Sequence, residues 1–240
     1  MRRFIDLHLR QPDERMDELE RMLRLAAEIG YRGVALSSNK PPSKMTRELC
    51  RELDLELISR IDLRPRSASE LTGHLRRVRR RFEIVAVGCY SKGVARQAAK
   101  DHRVDLLDFS PSVSSRSKVW FDRQEAVLAS GANCAYEINL SDLILKGPAV
   151  TARLLSIVRR EVENAKKHKV PIIISSGAHS CSLMREPRGL ASLVDLVDIG
   201  EEESLEMISS IPWSMVEVNR EKLTSGFVEP GVRVVGEDAG

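Results

Sequence analysis

Acids and histidines recur at the ends of short apolar runs in this chain: Asp6 and His8, then Asp62, Asp108, Glu137, His179 and Asp198, with Lys40 among them. Carboxylates and imidazoles drawn from several strand ends are a ligand set for divalent metal ions that hydrolyse phosphoesters. On this reasoning Asp6, His8, Glu137 and His179 are the candidate metal ligands. The pattern breaks at Arg10 in Asp6-Leu7-His8-Leu9-Arg10. A guanidinium offers no lone pair to a metal and repels a cation brought near it. His74, His102 and His168 fall on helical stretches or at their ends, away from the strand ends. The favoured reading makes Asp6 and His8 a hydrogen-bonded pair, or the remnant of a metal site, and assigns no catalytic residue.

Other chemistry is weaker still. The chain has no G-x-S-x-G nucleophile turn and no G-x-G-x-x-G or phosphate-loop pattern. Its four cysteines (Cys50, Cys89, Cys134 and Cys181) are far apart and form no C-x-x-C pair. Cys89 and Cys134, beside apolar residues, read as buried thiols in a reducing compartment. Ser175-Ser176-Gly177-Ala178-His179 follows the most apolar run. It suits either an anion held by backbone N–H groups or a tight turn that needs small residues. The cations divide into two kinds. Arg76–Arg81, Arg159, Arg160, Lys166 and Lys167 sit on helical stretches, where a solvated face explains them. Lys40, Arg64, Arg66, Lys92, Arg116, Lys118, Arg123, Lys146, Arg185 and Arg188 sit in loops after strands, where arginine can fork onto phosphate oxygens. The 111–118 loop mixes hydroxyls and cations with almost nothing apolar to pack.

The elements that must position these residues alternate. Apolar runs at 4–8, 34–37, 55–62, 83–88, 104–109, 134–138, 170–175 and 197–200 predict eight strands. Amphipathic stretches between them predict helices, with Gly30 ending the first and Ser67 with Glu70 capping the third. Short apolar strands separated by helices imply a parallel sheet covered on both faces. Eight such units in 240 residues predict an α/β fold, a TIM-like (β/α) barrel. Residues 1–235 are expected to form one domain and 236–240 a frayed tail.

Composition narrows the classes. Hydrophobic residues at 42% can fill a core, and no apolar run reaches the roughly 20 residues of a membrane helix. The strand pattern starting at Phe4 leaves no room for a signal peptide, so a cytoplasmic location without membrane contact is expected. A net charge of +3 does not argue for nucleic acid, and aromatics at 4% argue against a base-stacking binder of single strands.

Two resemblances carry further. Asp6-Leu7-His8-Leu9-Arg10 is similar to the Asp/His-x-His-x-His opening of the polymerase-and-histidinol-phosphatase barrels, with Arg10 where a ligand histidine would stand. That resemblance supplies the alternative function, a metal-dependent phosphoesterase using Asp6, His8, Glu137 and His179. Over nearly its whole length the chain also resembles the archaeal ribonuclease P component 3 family, related to the eukaryotic thirty-kilodalton subunit. The matching stretches include Phe4–His8, Ser59–Leu63, Ile84–Gly88, Tyr136–Leu140, Pro171–Ala178, Arg185–Leu190 and Val218–Leu223. This resemblance implies a barrel related to the phosphoesterase barrels whose metal site is lost. It implies a subunit that binds ribonuclease P RNA and pairs with component 2, two pairs forming a heterotetramer beside other ribonuclease P proteins. Precursor tRNA is then met through the holoenzyme, whose RNA uses Mg²⁺ to remove the 5′ leader, while this chain binds no cofactor of its own. The RNA contacts expected on that basis are Lys40, Arg116, Lys118, Arg123, Lys146, Arg185, Arg188 and Lys222.

Overall fold

A computed structural model of the chain describes residues 2–10, 16–224, 227–229 and 232–233. The tail expected at 236–240 lies outside the described residues. The order is β1 (Phe4–Arg10), α1 (Met16–Glu28), β2 (Tyr31–Ser37), α2 (Lys44–Glu52), β3 (Glu56–Leu63), α3 (Ala68–Val78), β4 (Ile84–Cys89), α4 (Lys92–Ala99) and β5 (Leu106–Phe109). There follow α5 (Val113–Arg116), α6 (Arg123–Ala132), β6 (Ala135–Asn139), α7 (Leu140–Ile144), α8 (Pro148–Lys167) and β7 (Ile172–Ser175). The last elements are α9 (Pro187–Ser192), α10 (Glu201–Met207), α11 (Ser210–Lys222) and a short antiparallel pair, β8 (Phe227–Glu229) with β9 (Val232–Arg233).

Strands β1 to β7 pair in sequence order, all parallel. Each of these seven strands sends apolar residues into one interior cluster: Ile5 and Leu7, Ala35, Ile58, Ile84 and Ala86, Leu106, Ala135 and Ile173. The barrel is therefore a packed core. A second layer of apolar residues lies between the strands and the surrounding helices.

The eighth strand expected at 197–200 is not formed. Residues 193–197 make a 3₁₀ turn and Asp198 is left-handed, with φ of 62°. Other backbone meets the free edge of β1 instead. Ile5 N–H donates to Ile208 O (3.0 Å), Arg10 N–H donates to Ala178 O (2.8 Å), and Leu9 bridges Ala178 in parallel. The seam thus closes through the chain after β7, and its amides stay satisfied without another strand.

Helix α11 plugs the end where the strands begin. Trp213 and Val216 enter the interior cluster, and the Trp213 indole N–H donates to Arg3 O at 2.7 Å. Gly33 is required beneath it, because a Cβ there would stand 2.7 Å from the indole ring. Asn219 and Arg220 fasten the far end of the helix to Glu83 and Asp105 near the starts of β4 and β5. Trp213→Ala is expected to cost about 3–5 kcal/mol through the cavity it leaves, measured by urea unfolding of the isolated chain. A loss below about 1 kcal/mol would show that the plug is not part of the cooperative core.

Candidate functional site at the barrel mouth

Period-two alternation builds the polar end of the barrel from the strands that build its core. Above the inward apolar residues stand Ser37 on β2, Arg60 and Asp62 on β3, Asp108 on β5, Glu137 and Asn139 on β6, and Ser175 on β7. On β1 a bulge is needed: Asp6 pairs with Val34 and Leu9 with Leu36, three steps against two. The extra residue changes which face each side chain takes. Leu9 packs outward with Leu19, Met22 and Leu23 of α1, while His8 joins the mouth.

Arg60 sits at the centre and is fully buried. Its Nη1 and Nη2 donate to the two oxygens of Glu137 at 2.6 and 2.7 Å. Nε donates to Asp62 Oδ1 at 2.8 Å, and Nη1 also donates to Leu7 O at 2.7 Å. Burial works against the guanidinium charge, and Asp62 and Glu137 outweigh it, so Arg60 is held charged. Reciprocally, burial pushes both carboxyls up but Arg60 holds both below the ordinary range, Asp62 far below. Ser175 Oγ–H donates to Glu137 at 2.7 Å, and the Ser37 hydroxyl donates to Asp62.

His8 lies beside this pair. Its Nδ1 is 2.6 Å from Asn139 Oδ1, and its Nε2 is 3.1 Å from Asp62 Oδ2. Nδ1 is hydrogen-bonded, whereas Nε2 is close to the Asp62 carboxylate without hydrogen-bond alignment; the nearby carboxylate charges favour the imidazolium. Burial and the Arg60 charge oppose protonation, but Asp62 and Glu137 prevail and raise its pKa. Asn139 donates its amide to Asp108 Oδ1 at 3.1 Å. Asp108, half-buried and facing Glu137, is pushed up to about 6 by desolvation and by the Glu137 charge. Asp6 does something else: its Oδ1 accepts the backbone N–H of His8 (3.1 Å) and of Ser176 (3.0 Å), tying β7 to β1. Burial raises its pKa.

The four expected metal ligands are only partly brought together. His8 and Glu137 are 3.9 Å apart, Asp6 is turned to the seam, and His179 is exposed on its loop. Among the described residues no group of three or more His, Cys, Asp or Glu is arranged to hold a metal. The loop 175–179 is a tight turn. Gly177 has φ of +63°, and a Cβ there would stand 2.6 Å from Ser141 Oγ. Ser176 and Ala178 use their N–H groups inside the protein, on Asp6 and on Ser176 Oγ.

The expected RNA contacts also divide. Lys40, Lys118, Arg123, Lys146, Arg185 and Arg188 are exposed and lie in or beside connections that follow strands. The connection after β7 runs back along the barrel wall, so that Arg185 O accepts from Tyr31 at the start of β2 and Arg188 lies 3.9 Å from Glu201, away from the mouth. Lys222 is exposed at the end of α11, at the opposite pole. Arg116 corrects the expectation, because it is buried. Residues 113–116 form α5, which turns Arg116 inward to Glu161 (Nε to Oε2, 3.0 Å), Tyr136 (2.6 Å) and Phe109 O (3.1 Å). With its guanidinium nitrogens committed inside the protein, Arg116 has nothing left for a phosphate. Arg60, Asn139 and Ser175 were missed by reasoning from strand ends alone. An arginine two residues before an acid inside an apolar strand, Ile58-Ser59-Arg60-Ile61-Asp62, is the signal that could have found the first.

Comparison with known proteins agrees with this architecture. The family model described as RNase P subunit p30 matches residues 3–224. Ribonuclease P protein component 3 of Methanosarcina mazei is 28% identical over 98% of this chain and 97% of that protein. Its counterpart from Methanothermobacter thermautotrophicus is 27% identical over 98% and 96%. A chain in the cryo-EM structure of archaeal ribonuclease P with mature tRNA superposes with a TM-score of 0.82 at 21% identity, covering 98% of this chain and all of that one. Histidinol phosphate phosphatase from Lactococcus lactis, complexed with zinc, L-histidinol and phosphate, shares the fold more distantly, with a TM-score of 0.51 at 12% identity over 82% and 93%.

Two outcomes are expected from the site itself. Removing Glu161 strands the Arg116 charge in the core, so Glu161→Ala should cost about 3–5 kcal/mol in denaturant unfolding. Near-native stability in that variant would return Arg116 to the surface. For Asp108, a folded pKa above the unfolded value means that the native state holds the proton more tightly. Stability from this group is full below about pH 4 and is lost as pH rises toward 6. Asp108→Asn should therefore stabilise at pH 7 by on the order of 1 kcal/mol, with the gain vanishing near pH 4. A gain independent of pH would refute the raised carboxyl.

Proposed function

The chain belongs to the RNase P subunit p30 family, and from that footing we propose that it binds the catalytic RNA of ribonuclease P and supports removal of the 5′ leader from precursor tRNA. The observation that carries this reading is the mouth of the barrel. Where a barrel hydrolase gathers open metal positions, this chain has a guanidinium whose donors are taken by Glu137, Asp62 and Leu7 O. No group described there is poised as a nucleophile with an accessible base, so the isolated chain is not itself the catalyst on this reading. The RNA and its Mg²⁺ supply the reaction. The protein contributes cations that offset phosphate repulsion and lets the RNA keep its active fold.

Lys40, Lys118, Arg123, Lys146, Arg185 and Arg188 are the candidate contacts, being exposed cations in or beside connections that follow strands. Lys222, on helix α11 rather than in such a connection, is retained as a weaker candidate. Arg116 is withdrawn. The partners on this reading are component 2, in a heterotetramer of two pairs, and other ribonuclease P proteins, with precursor tRNA met through the assembled particle in the cytoplasm.

The test is the salt dependence of binding to ribonuclease P RNA. Removing one cation that pairs with a phosphate lowers the log–log slope by about 0.7–0.9, so Lys118→Ala with Arg123→Ala should flatten it by more than about one unit. Thermal stability should not change, because both side chains are exposed. An unaltered slope and affinity would exclude this pair as contacts. A slope that stays at the native value when each of the six cations is replaced would exclude these connections as the RNA face.

A further inference from the structure

The buried mouth collects more negative charge than one arginine needs. Asp62, Asp108 and Glu137 converge there with His8, and the cation that hydrogen-bonds directly to two of these carboxylates is Arg60. A buried carboxylate without a cation costs several kcal/mol, so something positive must occupy the middle. Arg60 does so with unusual completeness. It reaches in from β3, takes both oxygens of Glu137 on β6, one of Asp62, and the carbonyl of Leu7 on β1. Both Glu137 oxygens and Asp62 Oδ1 already accept from the guanidinium, while Asp62 Oδ2 accepts from Ser37. The residues present therefore do not fit a metal alongside Arg60. A divalent ion here would compete for the same oxygens and sit within a few ångströms of a fixed positive charge.

We propose that Arg60 is a resident cation seated in place of a metal, and that Asp62, Glu137 and His8 form a latent divalent-cation site that opens when Arg60 is removed. The ligands it would offer are two carboxylates and the His8 imidazole, which must release its proton as the ion binds, with Asp108 near enough to join through Asn139 or water, a set that suits Mn²⁺ or Zn²⁺. Oxygens now 2.6–2.8 Å from guanidinium nitrogens would close on the ion to about 2.0–2.2 Å or bridge to it through water. The inference is independent of RNA binding, and its test uses no RNA.

Mn²⁺ is the probe, read by electron paramagnetic resonance of the free ion and by thermal unfolding of the full chain, with EDTA as the reference. The native protein should bind no Mn²⁺ at this site and unfold at the same temperature with and without it. Arg60→Ala should unfold earlier in EDTA, bind one Mn²⁺, and recover about 5–10 °C when Mn²⁺ is 100-fold above its dissociation constant. Adding Glu137→Gln to Arg60→Ala should abolish that response, which separates the site from surface carboxylates. Arg60→Gln is the milder variant, since its amide can still donate to Glu137 while the charge is gone. It should fold and bind Mn²⁺ more weakly. Native protein that binds one Mn²⁺ in a manner lost with Glu137→Gln would overturn the proposal, because ion and guanidinium would then coexist. So would a folded Arg60→Ala or Arg60→Gln chain without Mn²⁺ binding, or failure of both variants to fold even when refolded in Mn²⁺.

Discussion

The buried ion pair of Arg60 with Glu137 and Asp62 is the interaction on which the arrangement of the barrel end depends. Its guanidinium joins three strands that are not neighbours in the sheet, β1, β3 and β6, across the interior. Backbone pairing holds each strand to the next, whereas this pair fixes the width of the barrel above its apolar floor. The pair survives burial because each charge is matched and hydrogen-bonded. Ser175 and Ser37 complete the carboxylates, and Leu7 O takes a further donor. Loss of any one member leaves the others as unpaired buried charge, the most costly state a core can hold.

Around this centre the protein closes a barrel with seven strands. The seam between β1 and β7 is made by a carboxylate and by loop backbone: Asp6 accepts from Ser176, and Ala178 pairs with Leu9 and Arg10. The small residues of 175–178 serve this close approach, and Gly177 is where a side chain would strike Ser141. A segment that in sequence suits either an anion cradle or a tight turn is, in the folded chain, a tight turn that serves as a clasp. At the other pole α11 fills the barrel with Trp213, so both ends are occupied by side chains and neither leads into an open channel.

A second buried pair, Arg116 with Glu161, fastens the connection after β5 to the long helix α8, with Tyr136 and Phe121 N–H completing it. It leaves Lys118 and Arg123 outside on a segment that is anchored at its base. Exposed cations on an anchored connection lose less entropy on meeting a phosphate than the same cations on a free loop. The inner arginines hold the scaffold, and Lys118 and Arg123 stay exposed outside it.

The alternation of apolar strand and amphipathic helix was readable from residue order because each strand is buried on both faces and each helix on one. That pattern determined the class of fold, the parallel sheet, most element positions, and small details such as the Ser67 cap and the positive φ at Gly30 and Gly177. Residue order also placed Asp6, His8 and Glu137 near the strand ends. What only the tertiary structure decided was the direction of the charged side chains. A strand covered on both faces has no polar side to mark which alternate residues turn inward, so the spacing of Arg60 and Asp62 puts them on one face without saying which face that is. The bulge in β1 moves His8 into the mouth, and a four-residue helix turns Arg116 from solvent to core. The eighth strand failed for a related reason. Local apolar residues at 197–200 satisfy a strand pattern, but β1 had already found partners in Ile208 and Ala178, and a backbone edge can be satisfied only once.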